Sequence, residues 1–100
     1  MNTMKFNVEL THSAERDLAY YTKYEQRVIV KSILKYLQVN ANIQTRRRKQ
    51  LRPNPLAPWE LRIGDYRAFY EIEKGHEVNV IAIGHKEHHD LFIRGEEVDL

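Results

Sequence analysis

The chain contains no cysteine, so disulfides and thiolate metal sites are excluded and a reducing compartment suits it. It has no long apolar run: nothing approaches the roughly 20 apolar residues of a membrane span. The opening Met1-Asn2-Thr3-Met4-Lys5-Phe6 also lacks the apolar segment of a secretory leader. These absences predict a cytoplasmic protein without membrane contact. Proline is scarce, and all of it (Pro53, Pro55 and Pro58) falls in one stretch, where it bars helix and central strand alike. There is no internal repeat and no low-complexity block. What is present, 42% hydrophobic and 30% charged residues in a chain of 100, is ordinary for one globular domain spanning residues 1–100. A domain this small buries about two-thirds of its unfolded surface, so a partner that covers more of it adds stability.

The net charge is only +2, but it is unevenly spread. Residues 41–70 hold Arg46, Arg47, Arg48, Lys49, Arg52, Arg62 and Arg67 against Glu60 and Asp65. Residues 90–100 hold Asp90, Glu96, Glu97 and Asp99 against Arg94. The middle of the chain is therefore electropositive, which fits either a polyanionic partner or a solvated basic loop.

The clearest local pattern runs from Trp59 to Ile83. Trp59-Glu60-Leu61-Arg62-Ile63 and Tyr66-Arg67-Ala68-Phe69-Tyr70-Glu71-Ile72 alternate at strand period around Gly64-Asp65. A two-residue turn fixes the register, so Ile63 opposes Tyr66, Arg62 opposes Arg67, Leu61 opposes Ala68 and Trp59 opposes Tyr70. Trp59, Leu61, Ile63, Tyr66, Ala68, Tyr70 and Ile72 then form a core face, and Glu60, Arg62, Arg67, Phe69 and Glu71 a charged face. Two arginines directly opposed cost stability, and an anion between them would relieve the repulsion. Lys74-Gly75 closes a second hairpin onto Val78–Ile83, whose other edge is expected to be covered by an N-terminal strand around Lys5–Leu10.

Between these strands, Ser13 is a candidate cap for a short helix, and Thr22-Lys23-Tyr24-Glu25 has capping-box form before a longer helix reaching about Gln38 or Asn40. The predicted fold is a two-layer α+β domain: the N-terminal strand and a helical hairpin packed on a mainly antiparallel sheet, completed by a three-strand meander. Residues 41–58 read as a long connection carrying the basic run. After Ile83 the pattern breaks at Gly84, and the tail through Leu100 is either a short helix or an extended segment.

The order of elements, with Leu61-Arg62-Ile63-Gly64-Asp65-Tyr66-Arg67-Ala68-Phe69-Tyr70 at the centre and Ile81-Ala82-Ile83-Gly84-His85-Lys86 after it, resembles the RelE/ParE superfamily of bacterial toxins over nearly the whole chain. The resemblance implies a RelE-like fold and a toxin of a type II pair, neutralised by a cognate antitoxin. It also implies one of two activities, of which this sequence is read as the first: a ribosome-dependent mRNA endonuclease (an mRNA interferase), with a gyrase inhibitor as the alternative. An inactive relative that acts by binding is the further alternative. RNA cleavage by the 2′-hydroxyl needs proton transfer and neutralisation of the phosphate. By resemblance Arg67 is the phosphate-binding arginine, with Arg62 beside it. His85, Lys86 and His88 are the candidates for proton transfer, since imidazole titrates near neutral pH. Arg46, Arg47, Arg48, Lys49 and Arg52 are expected on RNA phosphates or on an acidic antitoxin segment, with Phe69 stacking on a base and His89 nearby. Trp59, Tyr66 and Tyr70 are read as packing. No cofactor is implied, and His85-x-x-His88 lacks a carboxylate at metal-site spacing. The chain departs from the nuclease members at Pro58 and Glu60, where they carry lysines, and at Phe92, where they carry a phenolic hydroxyl. A nuclease reading must therefore take its general base from the histidines.

Overall fold

The computed structural model describes residues 3–100; Met1 and Asn2, at the head of the stretch read for a leader, lie outside the described residues. The chain runs β1 (Asn7–Leu10), α1 (His12–Ala19), α2 (Lys23–Leu37), β2 (Arg48–Gln50), β3 (Trp59–Ile63), β4 (Tyr66–Glu73), β5 (Glu77–Glu87), β6 (Asp90–Ile93) and β7 (Glu96–Val98). The strands β2-β3-β4-β5-β6-β7 follow one another across a single sheet, and β1 joins β5 in parallel. The β3–β4 register is the one dictated by the two-residue turn: Trp59 pairs with Tyr70, Leu61 with Ala68, Arg62 with Arg67 and Ile63 with Tyr66. Gly64 takes the left-handed φ of 59° that such a turn asks of its first position.

The helices lie on the predicted core face. Ile29, Ile33 and Leu37 recur at helical spacing along α2 and are fully buried against Leu61, Ala68, Tyr70, Val80 and Ile83. The capping box of α2 is complete: the Thr22 hydroxyl accepts from Glu25 N at 3.1 Å, and the Glu25 carboxylate accepts from Thr22 N at 3.0 Å. The helix stops at Leu37, and Asn40 with φ 55° turns the chain away. For α1 the cap is Thr11, not Ser13. Thr11 is extended at φ −69° and ψ 165°, accepts from Ala14 N at 3.1 Å and is anchored to β5 by its own N–H on the Val80 carbonyl. Asp17, fully buried on α1, accepts from Ile83 N at 3.0 Å and meets Arg94 Nε at 2.9 Å, tying the helix to the sheet.

Three expectations change. The connection 41–58 is not structureless: Arg48–Gln50 pairs antiparallel with β3 as an edge strand. Its outer side is closed by its own chain, because Arg48 N donates to Thr45 Oγ1, Thr45 N to the Arg48 carbonyl, and Gln50 N to Gln44 Oε1. Of the two readings of the tail the extended one holds, but as paired strands and with no break at Gly84. Strand β5 runs through Gly84 to Glu87 and hairpins into β6 and β7. Gly84 belongs in mid-strand because a Cβ there would collide with the Phe92 carbonyl and lie 2.9 Å from Ile93 Cγ1. Finally, the face opposite the helices is not simply charged. Ala57, Phe69, Ala82 and Leu91 form a second buried cluster there, roofed by Leu51, Leu56, Ile93 and Val98. Among the described residues no helix is long and apolar enough to cross a membrane.

Candidate functional site

On the face away from the helices, the β3–β4 turn carries a guanidinium cluster. Arg62 and Arg67 are cross-strand neighbours, and with Arg46 and Arg47 they line a pocket of about 620 Å³ bordered by Gly64 and Asp65. Arg46, Arg47 and Arg62 are exposed, whereas Arg67 is only 7% exposed. One amine of its guanidinium donates to the carbonyls of Gly64 and Tyr66 at 2.8 and 2.9 Å, so the turn itself holds the side chain. Its Nε is buried without a hydrogen-bond partner, with Glu60 Oε1 at 3.7 Å, beyond hydrogen-bond reach. Burial pulls the Arg67 pKa down and the Arg62 charge adds to that, while Glu60 pushes it back up. Arg47 also lies over the Tyr36 ring at 4.7 Å.

Other members of the predicted set are used differently. Arg48 spends its guanidinium inside the molecule, donating to the carbonyls of Ile43 and Tyr36 at 2.9 Å each and so clamping the end of α2 to the edge strand. Phe69 is completely buried in the second cluster and has no ring face to offer a base. The strand alternation places Phe69 on this side of the sheet, but the chain that covers that side, Leu51–Ala57 and the tail strands, leaves no mark in the local pattern. Lys49 pairs in register with Glu60, and Arg52 is exposed beyond the strand.

The imidazoles do not join the arginines. Between Phe69 and Tyr70 the β4–β5 register shifts, so Phe69 opposes Ala82 while Tyr70 opposes Val80, and Ile81 is the extra residue. This bulge carries Ile83 and His85 to the helix side, where His85 opposes Tyr66, and sends Gly84 and Lys86 to the arginine side. His85 Nδ1 lies 2.8 Å from the Tyr21 hydroxyl and Nε2 lies 3.0 Å from Glu87 Oε2, and its ring stacks on Phe92 with centroids 5.8 Å apart. His88 and His89 form the exposed β5–β6 turn, both at positive φ, and Lys86 Nζ reaches the His89 carbonyl at 3.5 Å. Among the described residues no group of three or more histidines and carboxylates is arranged to hold a metal.

Around His85 the structure assembles residues the sequence reading left as helix or core. A pocket of about 670 Å³ between the helical hairpin and the turn is bordered by Tyr20, Tyr21, Glu25, Tyr66, His85 and Glu87. Tyr66 donates to Glu25 Oε2 at 2.6 Å, which pushes its own pKa up to about 12 and, together with the Thr22 cap, holds the Glu25 carboxyl below its ordinary range. Burial, reinforced by nearby phenols and carboxylates, raises the Tyr21 pKa, so that hydroxyl stays protonated against the imidazole. The capping box had flagged Glu25 only as a helix start; the bulge that brings His85 beside Tyr21 leaves no mark in the letters.

The chain matches the family model described as the ParE toxin of type II toxin–antitoxin systems, parDE, over residues 8–89. Among solved structures it is similar to the toxin–antitoxin complex RelBE2 from Mycobacterium tuberculosis, at 25% identity and a TM-score of 0.69, over 83% of this chain and 100% of that one. It also shares the fold of the archaeal RelE–RelB complex from Pyrococcus horikoshii, at 18% identity and a TM-score of 0.60, over 85% of this chain and 99% of that one. No curated protein sequence matches it significantly.

Proposed function

Starting from the fact that this chain belongs to the ParE toxin family and is a toxin of a type II toxin–antitoxin system of the RelE/ParE kind, we propose that it acts by gripping its target, without cutting RNA. Its target on this reading is DNA gyrase, as the ParE branch implies. One observation carries the proposal: the sheet stands between the guanidinium pair and the His85 imidazole. A general acid or base must lie within hydrogen-bond reach of the atom it serves, or one water away. A phosphate seated on Arg62 and Arg67 would be near the Glu60 carboxylate, while His85 is engaged on the other side by Tyr21 and Glu87. The absence of a phenol at Phe92 and of lysines at Pro58 and Glu60 supports the same reading.

The relatives in M. tuberculosis and P. horikoshii are complexes with their antitoxins. We propose that this chain is likewise held by a cognate antitoxin. Induced expression in a bacterial host, followed by primer extension on abundant messages and by a gyrase supercoiling assay with the purified chain, tests the function. The expected result is inhibited supercoiling with unchanged message ends, and toxicity that survives His85→Ala. Codon-phased cuts on translated messages that disappear in Arg67→Ala would overturn it in favour of ribosome-dependent mRNA cleavage.

A further inference from the structure

We propose that the four-arginine pocket beside the β3–β4 turn is the seat of a carboxylate, an aspartate or glutamate side chain of a protein partner. The inference deepens the partner half of the reading above and rests on it. Arg46, Arg47, Arg62 and Arg67 converge on about 620 Å³; Asp65 borders it and the Glu60 carboxylate pairs with Arg67 Nε at 3.7 Å without a hydrogen bond, so the four guanidinium groups are only partly balanced. Opposed arginines repel, and the Glu60 and Asp65 carboxylates offset that cost only in part, two charges against four. At the floor of the pocket lies Arg67, more than nine-tenths buried, its Nε unpartnered. A buried charged donor without an acceptor is costly, and an anion that reaches the guanidinium offsets part of that cost. The turn carbonyls that hold the other end of the guanidinium keep it aimed.

The surroundings favour a carboxylate over a nucleic-acid backbone. A strand of phosphates needs a row of cations and rings on which its bases can stack. Here the basic run is broken, since Arg48 is turned inward onto carbonyls. The aromatic residue of this face, Phe69, is sealed in the second cluster. What remains is a well of net positive charge in which paired guanidinium groups can grip a carboxylate.

The test uses the full chain and three probes: Ac-Ala-Glu-Ala-NH2, Ac-Ala-Gln-Ala-NH2, and a 12-nucleotide single-stranded RNA. The readout is the 15N–1H resonance of Arg67 Nε. The glutamyl peptide is expected to move that resonance saturably at millimolar concentration, about −4 kcal/mol at 1 mM, and the glutaminyl peptide to leave it in place. Arg62→Gln and Arg46→Gln, both on exposed side chains, are expected to weaken the glutamyl peptide about tenfold each without altering the far-ultraviolet spectrum. Equal shifts from the two peptides, no saturable shift from the glutamyl peptide, or tighter binding of the RNA at this resonance would each overturn the proposal. None of these results depends on toxicity, so a failure here is distinguishable from a failure of the gyrase reading.

Discussion

At the scale of single residues, the structure separates charges that hold the fold from charges left for a partner. Asp17 is the clearest of the first kind: fully buried, it satisfies the Ile83 N–H and faces Arg94. Burial raises its pKa, and both contacts work against that rise, so they only partly offset the cost of placing a carboxylate there. Asp17→Ala leaves the buried Ile83 N–H without an acceptor and the half-exposed Arg94 without its partner. It is expected to cost about 3 kcal/mol, read as a fall in the urea midpoint, with Asp17→Asn milder because the amide oxygen can still accept from Ile83. Tyr66 gives a prediction at the alkaline end. Its folded pKa of about 12 exceeds the ordinary value of about 10. The phenol therefore contributes stability in full below pH 10, and that contribution drains away as the pH climbs from about 10 to 12. Urea midpoints measured across this window should fall less steeply in Tyr66→Phe than in the parent. The same variant should lose the phenolate absorbance step that appears near pH 12.

At the scale of elements, β5 does the most. It accepts β1 in parallel, β4 and β6 antiparallel, and the cap of α1, and it makes room for the next strand with a residue that has no side chain. Gly84→Ala places a methyl group against the Phe92 carbonyl, and backbone cannot step aside as a side-chain tip can. The expected loss is about 2 kcal/mol. It should be concentrated at the tail: hydrogen exchange of β6 and β7 amides should accelerate well before that of β3 and β4. Uniform acceleration across the sheet would show that the tail strands unfold only with the whole. The self-closed outer side of β2 belongs to this scale too. Thr45 and Gln44 occupy the donors and acceptor that an incoming strand would need, which keeps the arginine pocket beside an edge that does not recruit other sheets.

At the scale of the whole molecule, the fold is a sheet with a packed cluster on each face, and this explains what could be read in advance. The helix-side core was legible because alternation and a two-residue turn set the β3–β4 pairing, and because Thr22 and Glu25 mark the start of α2. The other cluster was not legible, since it depends on how residues 51–58 and 88–98 fold back. His88, His89 and Arg94 take left-handed turns that their letters do not advertise. The consequence falls on Phe69. Phe69→Ala is expected to cost about 3–5 kcal/mol, while Phe69→Leu should cost under about 1.5 kcal/mol and leave growth arrest on induction intact. Loss of toxicity in a stably folded Phe69→Leu would return the ring to a binding role. The arginine pair was legible as a pair, but its separation from His85 was not, because Ile81 displaces the ladder by one step. Counted from the Lys74-Gly75 turn, an uninterrupted strand of the same length would put Ile83 opposite Arg67 and His85 on the arginine side of the sheet. Strand length thus works as a parity bit. Two chains that agree letter for letter from Gly84 to Glu87, one skipping a residue upstream and one not, would bring opposite chemistry to the same guanidinium groups. Motif comparison cannot see that bit, so descendants of one ancestor can gain or lose an acid–base partner while their signatures stay the same.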